Sequence, residues 1–213
     1  MTLAAAVETV PQERGALAPV SLEGKRVAAL VTDGFEVSEL FEPRQALEAA
    51  GARVDVIAPH AGQIRGWKDK NWDETVDVDR LLDDVHAQEY DAVLLPGGVM
   101  NPDNLRMNPK AVGFIQQSYE DGKPIAAICH GLWTLIDAGI TQGLRLTSWP
   151  SLRTDLTNAG AEWVDEEVVV DRGIVSSRKP ADLPAFNQKM IEEFAEGTHA
   201  AGSSRPPSKW LKA

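Results

Sequence analysis

The sequence predicts a three-layer α/β sandwich with a mostly parallel central sheet. Short apolar runs recur along the chain without polar alternation, as is typical of strands buried on both faces. Segments with a helical spacing of apolar residues separate these runs. Strands that alternate with helices form a parallel sheet covered on both faces, and their crossovers are right-handed.

The elements follow one another regularly between the two ends of the chain. The predicted buried strands are residues 27–32 (VAALVT), 53–58 (RVDVIA), 92–95 (AVLL) and 125–128 (IAAI). The predicted helices are residues 36–50, 109–120, 132–138, 151–159 and 183–195. Two hairpins are expected, one at 64–67 with 75–77 and one at 167–171 with 174–177 around Arg172 and Gly173. Pro43 is expected to kink the first helix or to delay its regular start.

Composition narrows the class of function. The 213 residues carry a formal net charge of −11, which argues against sequence-independent binding to nucleic acid or to an anionic membrane. The single cysteine excludes an internal disulfide and a cysteine-based zinc site. No apolar run approaches the roughly 18 residues that span a bilayer. We therefore expect a cytoplasmic protein without a metal site.

One domain is predicted, over residues 25–197. Residues 1–24 lack a basic leading segment, so we interpret them as a mobile extension and not as a signal peptide. Residues 198–213 are rich in Ser, Pro, Gly and Ala and are expected to form a mobile tail.

Cys129 is the first candidate for chemistry. It follows a predicted buried strand directly and precedes a helix, the strand–nucleophile–helix arrangement of elbow hydrolases. Parallel sheets bind ligands at the carboxyl ends of their strands, where the loop Pro96-Gly97-Gly98 also lies. A helix N-terminus lowers a thiol pKa, so we expect the Cys129 pKa to fall in roughly the 3.5 to 7.5 range. The alternative is a buried, inert cysteine.

Several motifs together resemble the PfpI/ThiJ superfamily, relatives of the class I glutamine amidotransferases. The chain is most similar to the intracellular protease branch (peptidase C56-type). The motifs are Phe35-Glu36 with Glu39 and Pro43, LLPGG at 94–98, AICHG at 127–131, NAGAEWVD at 158–165, VVVD at 168–171 and SSR at 176–178. The resemblance covers residues 25–194 and implies a flavodoxin-like sandwich with Cys129 as nucleophile and no metal or organic cofactor.

The resemblance also implies partners for the thiol. It implies that Glu36 reaches Cys129; two adjacent acids avoid double ionisation, so a protonated Glu36 would donate a hydrogen bond to the thiolate. His130 is the candidate base, oriented by an acid from a neighbouring subunit. Asp103 occupies the place of that acid in a loop one residue longer than the family pattern, and a solvated Asp103 is the alternative. A homodimer or higher homo-oligomer follows from the shared site.

Other residues at this edge have two interpretations each. The N–H groups of Gly97 and Gly98, with that of His130, are candidates for an oxyanion hole, or the glycines only form a tight turn. Arg178 either binds an anionic group or pairs with an acid. A glutamine amidotransferase is excluded because no His-x-Glu sequence is present.

Two functions stay open at the level of sequence. The first is a stress-protective cysteine enzyme that attacks a carbonyl substrate: a peptide, a 2-oxoaldehyde such as methylglyoxal, or an early glycation adduct on a protein. The second is a redox-sensing or chaperone-like protein in which Cys129 is oxidised to sulfenic or sulfinic acid without turnover.

Overall fold

The computed structural model describes residues 20–199. Most of the two predicted mobile ends, residues 1–19 and 200–213, therefore lies outside the described residues. In chain order the strands are β1 (Arg26–Leu30), β2 (Phe35–Glu36), β3 (Arg53–Ala58), β4 (Gln63–Lys68), β5 (Asn71–Asp77), β6 (Arg80–Leu81), β7 (Ala92–Leu95), β8 (Ile125–Ile128), β9 (Arg145–Leu146), β10 (Glu162–Trp163), β11 (Val168–Asp171) and β12 (Ile174–Ser177). The helices are α1 (Val37–Ala49), α2 (Met100–Arg106), α3 (Pro109–Glu120), α4 (Leu132–Asp137), α5 (Arg153–Asn158) and α6 (Leu183–Glu196).

The central sheet has seven strands in the order β11-β12-β8-β7-β1-β3-β6. All neighbouring pairs are parallel except β11 with β12, which form an antiparallel hairpin at one edge. The carboxyl ends of β1, β7 and β8 therefore lie side by side. The predicted α/β fold with a mostly parallel sheet is confirmed.

Two hydrophobic clusters cover the two faces of this sheet, and the strands supply alternate residues to them. Ala28 and Leu30 of β1 point into one cluster, whereas Val27 and Ala29 point into the other. Helix α3 packs on the first face, and α1 and α6 pack on the second. Because both faces are buried, most positions in these strands are apolar, without the polar alternation of a half-exposed strand.

The structure departs from the predicted elements in several places, among them the short strands β6, β9 and β10, which were not predicted. Pro43 lies inside α1 and is buried, and it does not delay the start of the helix. The first hairpin, β4 with β5, is longer than expected and joins β2 in a separate small sheet. Helix α2 was not predicted, because its sequence MNPDNLR contains a proline and two asparagines, which are poor helix formers.

The packed region extends slightly past both predicted boundaries. Leu22 is fully buried and its N–H donates to the Ala50 carbonyl at 2.7 Å. At the other end, the N–H of His199 donates to the Gly122 carbonyl at 2.8 Å. Within residues 20–199, no helix is both long and apolar enough to cross a membrane.

Candidate active site

Cys129 lies at the carboxyl end of β8, in the middle of the central sheet. It begins a 3-10 turn (Cys129–Gly131) that leads into α4. Its φ of 61° falls in the left-handed region, which is unfavourable for a residue with a side chain and is typical of functional turns. The residue is only 7% exposed. The turn thus holds a nearly buried thiol at the edge of the sheet where parallel α/β folds bind ligands.

His130 contacts the thiol from within the same chain. Its Nδ1 lies 3.2 Å from Sγ of Cys129, and its Nε2 lies 3.5 Å from Oγ of Ser151. The ring packs against the indoles of Trp133 and Trp149 at centroid distances of 5.0 and 6.1 Å. Burial lowers the pKa of His130, so the imidazole is neutral at pH 7 and one ring nitrogen is free to accept a proton.

The acid beside the thiol is Glu39, and the expectation that Glu36 reaches Cys129 is wrong for this structure. Glu36 lies in β2 with extended backbone, and its carboxylate accepts a hydrogen bond from Ser38 Oγ at 3.3 Å. Glu39, in the first turn of α1, is fully buried and lies beside Cys129, with both side chains against Gly97. Because Glu36 forms part of a strand that pairs with Trp67, the helix begins after it and directs the later carboxyl group at the sulfur.

The Glu39 carboxyl group has no cation beside it among the residues described. Its Oε2 accepts a hydrogen bond from the Gly97 N–H at 3.1 Å, whereas its buried Oε1 has no hydrogen-bond partner among the described residues. Burial, and next the charge of Glu36, raise the pKa of Glu39 to about 8. At pH 7 Glu39 is therefore mostly protonated.

The expected low pKa of the thiol is not found. Burial, and next the charge of an ionised Glu39, raise the pKa of Cys129 well above its usual value, although N–H groups of His130 and Gly98 oppose this shift. The two acids titrate as a pair, because the loss of one proton disfavours the loss of the other. While Glu39 is protonated, its charge no longer opposes the thiolate and its O–H is a hydrogen-bond donor.

The glycine loop Pro96-Gly97-Gly98 closes the site from the end of β7. A Cβ on Gly97 would collide with the Glu39 carboxylate and would lie 2.6 Å from Cβ of Cys129. Since the Gly97 N–H already binds Glu39, it is not free for an oxyanion, and this part of the prediction needs correction. The N–H groups of Gly98 and His130 both act on the Cys129 sulfur, so these two remain candidates for binding a developing oxyanion.

Asp103 forms no hydrogen bond or ion pair with His130 of the same chain among the described residues. It is exposed in the first turn of α2, and none of the hydrogen bonds or ion pairs among residues 20–199 joins it to His130. The described residue opposite Nε2 is Ser151, which the sequence analysis did not single out. A contact between Asp103 and His130 of another subunit stays a prediction.

Arg178 is engaged by two acids. Its Nε and Nη2 donate to Asp182 at 2.8 and 3.1 Å, and its Nη1 donates to Asp165 at 2.7 Å. These hydrogen bonds raise the pKa of the Arg178 guanidinium further. Of its two predicted roles, the structure therefore shows the pairing with acids.

One group of side chains in the described part of the chain has the spacing of metal ligands. It consists of Glu193, Glu196 and His199, whose candidate ligand atoms lie within 4.8 Å of one another. His199 Nε2 and Glu193 Oε1 already lie 2.9 Å apart. The group lies near Gly122 and Gly173, which precede β8 and β12, and thus at the opposite edge of the sheet from Cys129.

Fold and site together define a class: an α/β protein with a mostly parallel sheet and a cysteine, a histidine and a buried glutamic acid at its carboxyl edge. The profile of the DJ-1/PfpI family matches residues 25–193. The chain belongs to the DJ-1/PfpI family, as the motifs in its sequence indicate.

Relatives and solved structures agree with this assignment. The chain is 44% identical over 167 residues to a deglycase of Thermococcus kodakarensis, an alignment that covers 78% of this chain and 98% of the relative. It is 43% identical over 168 residues to protein/nucleic acid deglycase 2 of Escherichia coli, with 78% and 96% covered. The crystal structure of Drosophila melanogaster DJ-1beta superposes with a TM-score of 0.74 at 28% identity, over 80% of this chain and 90% of that one.

Proposed function

We propose that this protein is a deglycase that uses Cys129 to remove early adducts of 2-oxoaldehydes, such as methylglyoxal, from amino or thiol groups. The observation that carries the proposal is the contact of the Cys129 thiol with Nδ1 of a neutral His130 at 3.2 Å, beside a protonated Glu39. The names of the two relatives support this substrate class over a peptide bond.

The site is suited to attack on a carbonyl carbon. His130 Nδ1 takes the thiol proton as the sulfur–carbon bond forms, and the electron pair of the C=O π bond moves to oxygen. The N–H groups of Gly98 and His130 bind that oxygen, and Glu39 gives it a proton. The bond from the neighbouring carbinol carbon to nitrogen or sulfur then breaks, and the leaving amine or thiol keeps the electron pair and takes the proton from His130. The carbinol hydroxyl becomes a carbonyl and returns its proton to Glu39, so both groups regain their starting state. Because the thiol pKa is raised, the nucleophile forms when the base removes the proton and is not present beforehand as a stable thiolate.

The neighbouring aromatic side chains give the site one apolar wall. Trp149 is 39% exposed and stacks on the His130 ring, so part of the indole is open to solvent beside the reactive pair. In this proposal a small carbonyl compound binds between this wall and the glycine loop, and Arg178 takes no part because Asp182 and Asp165 engage it.

A single set of assays tests the proposal. Wild-type protein and Cys129→Ala are incubated with preformed methylglyoxal adducts of N-acetylarginine and N-acetylcysteine, with free methylglyoxal, and with fluorogenic peptides. We expect wild type to remove the adducts and Cys129→Ala to do so at least about a hundredfold more slowly, since the covalent step is lost.

The adducts also release methylglyoxal spontaneously, so a trap is needed. In excess aminoguanidine, which captures the free aldehyde, a deglycase still removes adducts faster than they dissociate unaided. Adduct loss that never exceeds spontaneous release, together with turnover of free methylglyoxal, would contradict the proposal and identify a glyoxalase. Cleavage of the peptides alone would identify a peptidase.

The redox-sensing alternative is less well supported by the structure. A sensor thiol is ordinarily exposed and of low pKa, whereas Cys129 is 7% exposed with a raised pKa. Mass spectrometry after mild peroxide treatment distinguishes the two. Stoichiometric sulfinic acid at Cys129, with no turnover of any carbonyl substrate, would favour the sensor.

We also propose a homo-oligomer in which Asp103 of one subunit faces His130 of another. The exposure of Asp103 supports this proposal, because its carboxylate is accessible to another subunit. Sedimentation is expected to give at least twice 23.1 kDa, and Asp103→Ala is expected to lower turnover without unfolding. A strictly monomeric, fully active protein would contradict this proposal but not the role of Cys129.

A further inference from the structure

The glycine loop is held from behind by one fully buried side chain, Asn101 of α2. Its Nδ2 donates to the carbonyl oxygens of Pro96 and Gly97 at 2.9 and 3.1 Å. Its Oδ1 accepts from the N–H of Thr32 at 2.7 Å and from Oγ1 of Thr32 at 3.3 Å. Both N–H groups and the oxygen of the amide are thus engaged, and the single Thr32 hydroxyl proton can also be accepted by the main-chain carbonyls of Asn101 and Asp33 at 3.3 and 3.4 Å.

These hydrogen bonds join the ends of two neighbouring strands. Thr32 follows β1, and Pro96 follows β7, which pairs with β1 in the sheet. Asn101 therefore fixes the glycine loop relative to the segment that leads from β1 into Glu36 and α1. A loop on the surface would not need hydrogen bonds from a buried side chain, because water could donate hydrogen bonds to its carbonyl groups.

The hydrogen bonds of Asn101 also orient N–H groups in the site, because of the geometry of the peptide bond. A trans peptide is planar, with its C=O and N–H pointing in opposite directions. The Pro96 carbonyl shares a peptide with the Gly97 N–H, and the Gly97 carbonyl shares one with the Gly98 N–H. By holding both carbonyls on the far side, Asn101 directs both N–H groups towards Glu39 and Cys129.

We propose that Asn101 is a positioning residue, which sets the two N–H groups of the glycine loop against the reacting pair. The proposal rests on the proposed function only in taking Cys129 as the reactive group. The N–H group at the other end of the Pro96–Gly97 peptide supports the proposal, because it donates a hydrogen bond to Glu39 Oε2 at 3.1 Å. Burial raises the pKa of both acids, and the hydrogen bond from Gly98 opposes that shift in each of them.

The test measures the thiol itself, so that it does not depend on knowing the substrate. Cys129 is the only cysteine, and its alkylation by iodoacetamide is followed against pH in wild type, Asn101→Ala and Thr32→Val. Thr32→Val is the matched control: it removes a similarly buried hydroxyl from the same amide but leaves both bonds to the glycine loop in place.

Without the Asn101 amide, the N–H groups of Gly97 and Gly98 are no longer held in place to stabilise the ionised forms of Glu39 and Cys129. We expect Asn101→Ala to move the alkylation midpoint up by about one pH unit, and to slow alkylation at pH 7 by about tenfold. Thr32→Val is expected to keep the wild-type midpoint. Asn101→Ser, which retains one hydroxyl donor, is expected to lie between the two and decides the question if Asn101→Ala does not fold.

Two outcomes would overturn the inference. One is an Asn101 variant with the wild-type midpoint; the other is an equal shift in Thr32→Val, which would show that any loss of packing there has the same effect. Failure of the deglycase assays with a shifted midpoint in Asn101→Ala would reject the proposed function and retain the positioning role.

Discussion

Two buried carboxyl groups, Glu39 and Asp55, have opposite surroundings. Asp55 in β3 is 2% exposed and accepts hydrogen bonds from Arg26 at 2.8 Å, Arg53 at 2.9 Å and the Tyr90 hydroxyl at 3.0 Å. Burial alone would raise its pKa, but these three donors lower it. Glu39 is equally buried, with backbone N–H groups of Gly97 and Gly98 and a thiol beside it, and its pKa rises to about 8.

The difference separates a structural acid from a reactive one. Both groups are removed from water, so burial is common to them and the partners decide the protonation state. Asp55 is held as an anion that joins three side chains, whereas Glu39 is held as an acid that can give up a proton near neutral pH. A perturbed acid without a cation, at the edge of the sheet where ligands bind, indicates a functional site.

The largest expected effect comes from Glu39, through the dependence of stability on pH. Its pKa rises from the usual 4.5 to about 8 on folding. Between these values the folded state binds more protons than the unfolded state, so the free energy of unfolding falls as pH rises. Glu39→Gln stays neutral and keeps an oxygen for the Gly97 N–H. We expect the variant to gain up to ~5 kcal/mol over wild type between pH 5 and pH 9.

Urea unfolding of both proteins at pH 5, 7 and 9 measures this difference, and subtracting the curves removes all other titrating groups. Glu36→Gln is the matched control, because Glu36 is half-buried and its pKa is raised mainly by burial. It is expected to show the same sign with a smaller change. Parallel pH dependence in wild type and Glu39→Gln would mean that Glu39 is not protonated in the folded state.

The contrast between Glu36 and Glu39 also shows what the sequence can and cannot predict. The two acids are three residues apart, so both fall on one helical face and either could reach the thiol. The choice depends on where α1 begins, which is set by the pairing of Glu36 with Trp67 in the small sheet. That pairing joins segments about thirty residues apart and leaves no local signal.

Other features followed directly from local pattern. The strands β3, β7 and β8 were predicted with the bounds that the structure has, since both faces are buried and most of their residues are apolar. The position of Cys129 at the end of β8 followed in the same way. Asn101 and Ser151 were missed, because a buried asparagine or a serine near a histidine is recognisable only from long-range contacts.

The second prediction removes the charge from the structural acid. Asp55→Asn leaves Arg26 and Arg53 without a carboxylate at a site where removing one member of a buried pair is strongly destabilising. Since side chains of both arginines are partly exposed, we expect a loss of about 3 kcal/mol at pH 7. Because the pKa of Asp55 is lowered on folding, the difference should shrink as pH falls through that pKa.

Measurements of activity also distinguish Asp55 from Glu39. Asp55→Asn is expected to keep wild-type activity per folded molecule, whereas Glu39→Gln is expected to lose it while being more stable at alkaline pH. An Asp55→Asn protein that is folded but inactive would show that the structural cluster also acts on the site, and the separation of roles would be wrong.

The smallest effect is expected from Tyr90→Phe, which removes only one donor of the three around Asp55. The hydroxyl is a neutral donor, because burial and the nearby Asp55 raise its pKa to about 12. The guanidinium of Arg26 lies 4.7 Å from the centre of the Tyr90 ring, and phenylalanine keeps that contact. A buried hydrogen bond to a carboxylate is worth about 1.5 kcal/mol, so a loss of this size is expected at pH 7.

Below the pKa of Asp55 the loss should be smaller, since the acceptor is then neutral. Urea unfolding at pH 7 and at a series of lower pH values gives both quantities. A loss as large as that of Asp55→Asn would mean that the tyrosine hydroxyl, and not the pair of arginines, keeps Asp55 ionised.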